Sequence, residues 1–189
     1  MRKGDATREK LRRAALALFV EQGVTETTTR DIAARAGIAE GTIYRHFASK
    51  DELAADLLRD QLSRLGEALY AVDRAEDDLP TKIRAFVRCY CEMADADWHG
   101  FSYQLLYQHV WLRRLPEPPS RNPVTVVRDA LERGMAAGAI PRREIELVLG
   151  MALGVVMQTA IQKLYGSLDG AMTDYAEEVA EAVWRVVSQ

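Results

Sequence analysis

The residues best placed to do chemistry lie between positions 27 and 53, in the run TTTRDIAARAGIAEGTIYRHFASKDEL. Arg45 carries a planar fork of N–H donors that matches the O6 and N7 acceptors of guanine. Thr42 can meet a thymine methyl or a phosphate, and Lys50 offers an ammonium that reaches a phosphate backbone. Glu40, Gly41, Tyr44 and His46 complete the outward set. This is the chemistry of hydrogen-bonded readout of a nucleic acid. Glu40 is the odd member, because phosphates repel a carboxylate; either it accepts from cytosine N4, or it caps the start of its own helix. Spacing alone also fits a helical hairpin with no nucleic-acid partner.

Two short helices must hold these groups. Thr28 can cap the first, residues 29–36, with Asp31 three residues on. Gly37 allows the left-handed backbone of a sharp turn, and residues 40–47 read as the second helix. Ile32, Ala33 and Ala36 permit close packing, while Ile38 and Ile43 plug the space between the helices. Two helices joined by a tight Gly-containing turn meet the physical requirements of a helix-turn-helix, whose second helix enters the major groove. Ser49 is the expected cap of the following helix, with Glu52 as its reciprocal partner.

With Thr28, Ile32, Ala33, Ala36, Gly37, Gly41, Tyr44, His46, Phe47, Lys50 and Leu53 at fixed spacing, the segment resembles the TetR/AcrR family of bacterial transcriptional regulators. The resemblance implies a homodimer that binds a palindromic double-stranded DNA operator and is released, as a repressor, by a small lipophilic effector. It also implies roles for individual residues. Thr29 and Arg30 would touch phosphates or a flanking base. Thr42, Tyr44 and His46 would contact the backbone and groove wall, and Lys50 a phosphate. The expected division is a DNA-binding part over residues 1–50 and an effector-binding and dimerisation part over 51–189.

Charge agrees with that division. Through Lys50 the chain has ten basic and six acidic residues, and beyond it fifteen against twenty-two, within an overall charge of −3. A basic contact surface on an acidic body is a usual footprint of DNA binding. Arg2 and Lys3 can form an arm along DNA or a solvated tail. Arg8, Lys10, Arg12 and Arg13 would suit a membrane-surface helix only if an apolar face were free, and Leu18 and Phe19 are needed for the head's own core. With only Cys89 and Cys91, whose side chains diverge by about 200° on a helix, no disulfide framework is expected, and a cytoplasmic setting is the simplest expectation. The apolar run at residues 147–157 is too short for a bilayer, so no membrane span is expected.

The rest of the chain reads as helices, about nine in all, giving an all-α fold: a three-helix head followed by a helical ligand-binding and dimerisation body. Leu53, Leu57, Leu58, Leu62, Leu65 and Leu69 line a long helix that ends at the acidic break of residues 73–80. Ile83, Phe86, Val87, Tyr90 and Cys91 mark the next. Residues 98–115 form an aromatic-rich helix, stopped by Pro116, Pro118 and Pro119. Within it His99, Tyr103, Tyr107 and Trp111 share one face, readable either as an effector-cavity wall or as ordinary core. In relatives of the family this region lines the inducer cavity, with Met151 and Gln158 expected on the opposite wall. Residues 142–165 and 172–187 form the last two helices, the expected dimer surface. There Tyr175, Val179, Val183 and Val186 give a second apolar stripe. No nucleophile elbow, Walker loop or dinucleotide turn occurs, so neither an enzyme nor a cofactor is expected. Cys89, Cys91, Glu92, Asp95, Asp97 and His99 keep a metal-responsive regulator as an alternative, although they lack the usual ligand spacing and no metal ligand is assigned. A DNA-binding protein without an effector is the other.

Overall fold

Gly23, at φ 89°, takes a left-handed backbone that residues with a Cβ rarely adopt, and it ends the first helix, α1 (Lys3–Gln22). A computed structural model describes residues 3–111, 115 and 119–189, without the side chains of Lys3 and Trp111. The expected N-terminal arm of Arg2 and Lys3, and the loop read from Pro116, Glu117 and Pro118, fall outside the described residues or side chains. After α1 come α2 (Thr29–Ala36), a 3₁₀ segment (Glu40–Arg45), α3 (Lys50–Ala75), α4 (Leu79–Ala96) and α5 (Trp98–Trp111). Then follow α6 (Pro123–Ala136), α7 (Ile145–Leu164), a 3₁₀ turn (Met172–Tyr175) and α8 (Ala176–Ser188). Among the described residues there is no strand, so the fold is all-α.

Local rules account for most boundaries. Ser49 Oγ accepts from the Glu52 amide at 3.0 Å and starts α3; the Glu52 carboxylate reaches back to the amide of Ala48 rather than that of Ser49. Asp78 caps α4 through the Thr81 amide at 3.0 Å, and Asn122 caps α6 through the Val124 amide at 2.9 Å. The expected helix at residues 40–47 is instead a 3₁₀ segment, closed by Thr42 N–H to Ala39 C=O at 2.9 Å. Gly41 and the β-branched Thr42 and Ile43 make a regular α-turn there costly. The expected final helix at residues 172–187 is likewise a 3₁₀ turn followed by α8.

The chain divides into two compact units, Met1–Gln61 with His99–Glu117, and Leu62–Trp98 with Pro118–Gln189. In the first, Leu11, Ala15, Phe19, Ile32, Ile43, Leu53 and Leu58 are fully buried, and so is Tyr103 of α5. The Tyr103 ring lies 5.9 Å from Phe19 and 5.0 Å from Tyr107. In the second, α8 packs on α4 and α7. Val179 and Val183, expected at a dimer surface, are therefore buried within the chain. Asp73 holds Lys82 at 2.9 Å and Arg133 at 2.6 Å. The helix α7 buries Val148, Leu149, Ala152 and Ala160 but leaves Leu147 57% exposed. Its length and apolarity reach those of a bilayer span, because the helix extends beyond the 147–157 run on both sides.

Asp95, near the end of α4, ties down the start of the C-terminal element. It accepts from the amides of Met172 at 2.7 Å and Thr173 at 3.0 Å and from the Thr173 hydroxyl at 2.8 Å. Burial raises its pKa, but the two amides, the hydroxyl and Lys163 outweigh burial and hold it below the ordinary 3.8. A carboxyl depressed on folding stabilises fully above its ordinary value and loses that stabilisation as pH falls through the folded value. Asp95→Ala is expected to cost about 0.5–1.5 kcal/mol at neutral pH. In urea titrations the gap to wild type should shrink as pH falls below 3.8. A gap that stays constant into that range would show that the charge contributes nothing.

Candidate nucleic-acid interface

The reading surface begins at Thr28. Its hydroxyl oxygen accepts from the Asp31 amide at 3.1 Å, while Asp31 accepts from the Thr28 amide at 3.0 Å and hydroxyl at 2.6 Å. The Thr28 hydroxyl and amide together hold the Asp31 carboxyl below its ordinary pKa. This reciprocal cap fixes where α2 starts and puts Thr29 and Arg30 in its first turn. Gly37, at φ 67°, turns the chain, and Ile38 N–H closes the end of α2 on the Ala33 carbonyl at 3.0 Å. The 3₁₀ segment then inserts Ile43, fully buried, and Phe47 follows at 2% exposure. With Ile43 inward, Glu40, Gly41, Tyr44 and Arg45 are exposed, and Thr42 and His46 are half-buried.

Lys50 does more than the sequence foretold. Its ammonium donates to the carbonyls of Thr27 at 2.7 Å and Thr25 at 3.1 Å, bracing the turn between α1 and α2. Thr27 is itself fully buried, donating to the Gly23 carbonyl at 2.7 Å. One of the three ammonium N–H groups therefore remains for an outside acceptor. Glu40 also departs from one of its expected readings. The 3₁₀ segment has no side-chain cap, and Glu40 Oε1 instead accepts from Thr29 Oγ1 at 2.9 Å, with the Tyr44 hydroxyl 3.5 Å from that same Oγ1.

The basic residues of the head divide sharply. Arg8, Arg12 and Arg59 converge on the buried Asp56; Arg8 reaches it at 2.9 Å and Arg59 at 2.8 Å. Arg12 also pairs with Asp60 at 2.8 Å, and Arg8 lies over the Phe47 ring at 5.0 Å. Arg13 pairs with Glu9 and Arg35 with Glu21. Arg30 and Arg45 are exposed and have no ion pair among the described residues. The Asp56 cluster was not anticipated; Arg8 and Arg12, one helical turn apart, were its only signal in the sequence.

The residues expected to meet an effector are distributed over both units. On α5, His99 is exposed and Tyr103 is fully buried, its hydroxyl donating to the Ala54 carbonyl at 2.8 Å. Burial raises the Tyr103 pKa, so it stays a neutral donor. Tyr107 is half-buried; its hydroxyl donates to the Phe19 carbonyl at 3.2 Å and accepts from the Val24 amide at 3.3 Å. The Trp111 side chain lies outside what is described. On α7, Met151 is half-buried and Gln158 exposed. For the metal alternative, burial pushes the Cys91 thiol up to about 11, and Asp95 and Glu92 add to the rise, disfavouring the thiolate a soft metal needs. Among the described residues no three His, Cys, Asp or Glu side chains form a group able to hold a metal ion.

Residues 11–57 match the family described as "Bacterial regulatory proteins, tetR family". The HTH-type transcriptional repressor KstR2 of Mycolicibacterium smegmatis is 30% identical over 151 residues, 75% of this chain and 71% of that protein. This chain belongs to the TetR family. The regulator also resembles solved structures at identities that carry the fold alone. The fatty acid degradation regulator FadR from Bacillus halodurans superposes with TM-score 0.82 at 18% identity, covering 93% of each chain. FadR from Bacillus subtilis, solved in complex with stearoyl-CoA, gives 0.80 at 18% identity, covering 93% of this chain and 96% of that one. The regulator is a DNA-binding transcription factor, and its helix-turn-helix is the segment built on Thr28, Gly37 and Ile43.

The brace and the free arginine should separate in the protein without DNA. Lys50→Met removes two hydrogen bonds to carbonyls and is expected to lower unfolding stability by about 1 kcal/mol. Arg45→Ala, on an exposed side chain with no partner among the described residues, should stay within about 0.5 kcal/mol of wild type. Equal urea midpoints for both variants would show that the Lys50 brace has no structural weight.

Proposed function

We propose that the regulator is a repressor that binds a palindromic operator as a homodimer and leaves it when a small lipophilic effector binds. The carrying observation is the exposed set of Arg30, Gly41, Tyr44 and Arg45 on a capped helix-turn-helix, with the half-buried Thr29, Thr42 and His46 at its edge. In this reading residues 1–50 hold the DNA contacts and 51–189 the effector and dimer contacts. Arg30 meets phosphates or a flanking base through its guanidinium, and Thr29 does so through its backbone N–H at the start of α2. Thr42, Tyr44 and His46 line the groove wall, and Arg45 reads guanine. Lys50 offers its remaining N–H to a phosphate. The role is one of binding, not catalysis, and the setting is the cytoplasm.

Effector contacts are proposed on α5 at His99, Tyr107 and Trp111, with Tyr103 as their support, and on α7 at Met151 and Gln158. The repressor KstR2 supports the direction of control, and the stearoyl-CoA held by FadR of B. subtilis makes an acyl-CoA the natural first probe. Dimerisation is proposed through α7 and the outer side of α8. Leu147, Gly150, Gly154 and Tyr165 leave one side of α7 open, and nothing lies within 4 Å of a Cβ built on Gly154. A second copy would bury that side.

DNA binding is tested by fluorescence anisotropy on duplexes carrying inverted repeats. Log K should fall with log salt at about −0.9 per phosphate neutralised. Arg45→Ala should relax preference at one base position at a cost of about 1–3 kcal/mol on the best site. Binding that shows no preference among sequences would leave only a non-specific DNA-binding protein.

Sedimentation tests the dimer. Gly154→Glu has room in the single chain and should give a folded, helical monomer, whereas Val183→Glu buries a charge and should unfold the second unit. A Gly154→Glu protein that still sediments as a dimer would move the interface away from α7.

A further inference from the structure

We propose that Glu40 reads a cytosine in each half-site and that Thr29 holds it in the reading position. The inference rests on the docking of the 3₁₀ segment in the major groove. Glu40 is the first residue of that segment and is exposed, and its carboxylate meets the Thr29 hydroxyl that the Tyr44 hydroxyl also approaches. Two simpler roles are removed by the geometry. It does not cap its own segment, which has no side-chain cap, and it forms no ion pair among the described residues. Instead Thr29 Oγ1 donates to Oε1 at 2.9 Å, while Oε2 has no hydrogen-bond partner among the described residues.

The Thr29 hydroxyl has one proton, and Glu40 takes it. The Tyr44 hydroxyl, 3.5 Å from the same oxygen, can then only donate to Thr29 or turn to an outside acceptor. Thr29 opens α2 and Glu40 opens the next segment, so one hydrogen bond locks the carboxylate across the turn. A carboxylate can only accept, and phosphates repel it, so what it can gain on DNA is a base-edge donor. The major groove offers two, cytosine N4 and adenine N6. Adenine N6 lies between two acceptors, its own N7 and thymine O4, whereas cytosine N4 has guanine O6 on one side only and its own C5–H on the other. Cytosine is therefore the base that this group selects.

The test is selection of bound duplexes from a random pool by the full chain and by Glu40→Gln, Glu40→Ala and Thr29→Val. Wild type should enrich an inverted repeat with cytosine fixed at one position of each half-site, other bases there binding about 10- to 100-fold more weakly. Glu40→Gln keeps an acceptor for Thr29 and gains donors, and an amide pairs with adenine N6 and N7. It should change that one base from cytosine to adenine and leave the rest of the site as it was. Glu40→Ala should show no preference there, and Thr29→Val should keep cytosine with a smaller margin. A Glu40 that merely braced the turn would change stability in these variants and not the base selected. Wild-type and Glu40 variants enriching the same site would overturn the cytosine reading alone. If the wild type enriches no site, sequence-specific DNA binding falls with it.

Discussion

Phe19 and Tyr103 carry no accessible surface, yet they belong to α1 and α5, far apart in the chain, and the reading head depends on their contact. A head of about fifty residues buries only a small interior of its own and is marginal alone. Here α5 supplies the missing part. Each full burial of such a ring contributes roughly 1.5–3 kcal/mol, and the Tyr103 hydroxyl avoids the cost of an unmet donor by binding the Ala54 carbonyl in α3. Tyr107 carries the same helix to the end of α1, between the Phe19 carbonyl and the Val24 amide. The position of Thr29 and Arg45 in space therefore follows from side chains that touch no DNA.

Charge is organised with equal economy. Asp56, 8% exposed, gathers guanidinium groups from α1 and from its own helix. A buried carboxylate left without partners would be strongly destabilising, so the cluster is a requirement of packing α1 on α3 and not a DNA-facing patch. The excess of basic residues in the first fifty thus overstates the charge available to a phosphate. Among the described side chains, the outward basic groups of the head without an ion pair are few: Lys10, Arg30, Arg45 and part of Lys50. On so thinly charged a surface, one carboxylate at Glu40 carries weight.

The second unit shows how one apolar pattern has two destinations. Both α7 and α8 are rich in aliphatic residues, and periodicity treats them alike. Packing against α4 covers Val179, Val183 and Val187 of α8, whereas α7 covers one side only and leaves Leu147 and Tyr165 largely open. The distinction is tertiary, because it depends on which neighbour reaches which face first.

What the sequence determined by itself was everything whose partners lie within a few residues. The Thr28–Asp31 cap, the Gly37 turn, the Ser49 start of α3 and the all-helical pattern are local, and residue type with spacing is enough to specify them. The family resemblance was legible for the same reason, since its residues crowd into one short segment. Only the tertiary structure decided where Lys50, Asp56 and Tyr107 found their distant partners, at separations of 23 to 25, 44 to 48 and 83 to 88 residues. It also decided that Glu40 binds Thr29 and that the segment after Gly37 winds as a 3₁₀ turn. A side chain with several possible partners chooses among them by geometry, and that geometry exists only after distant helices have packed.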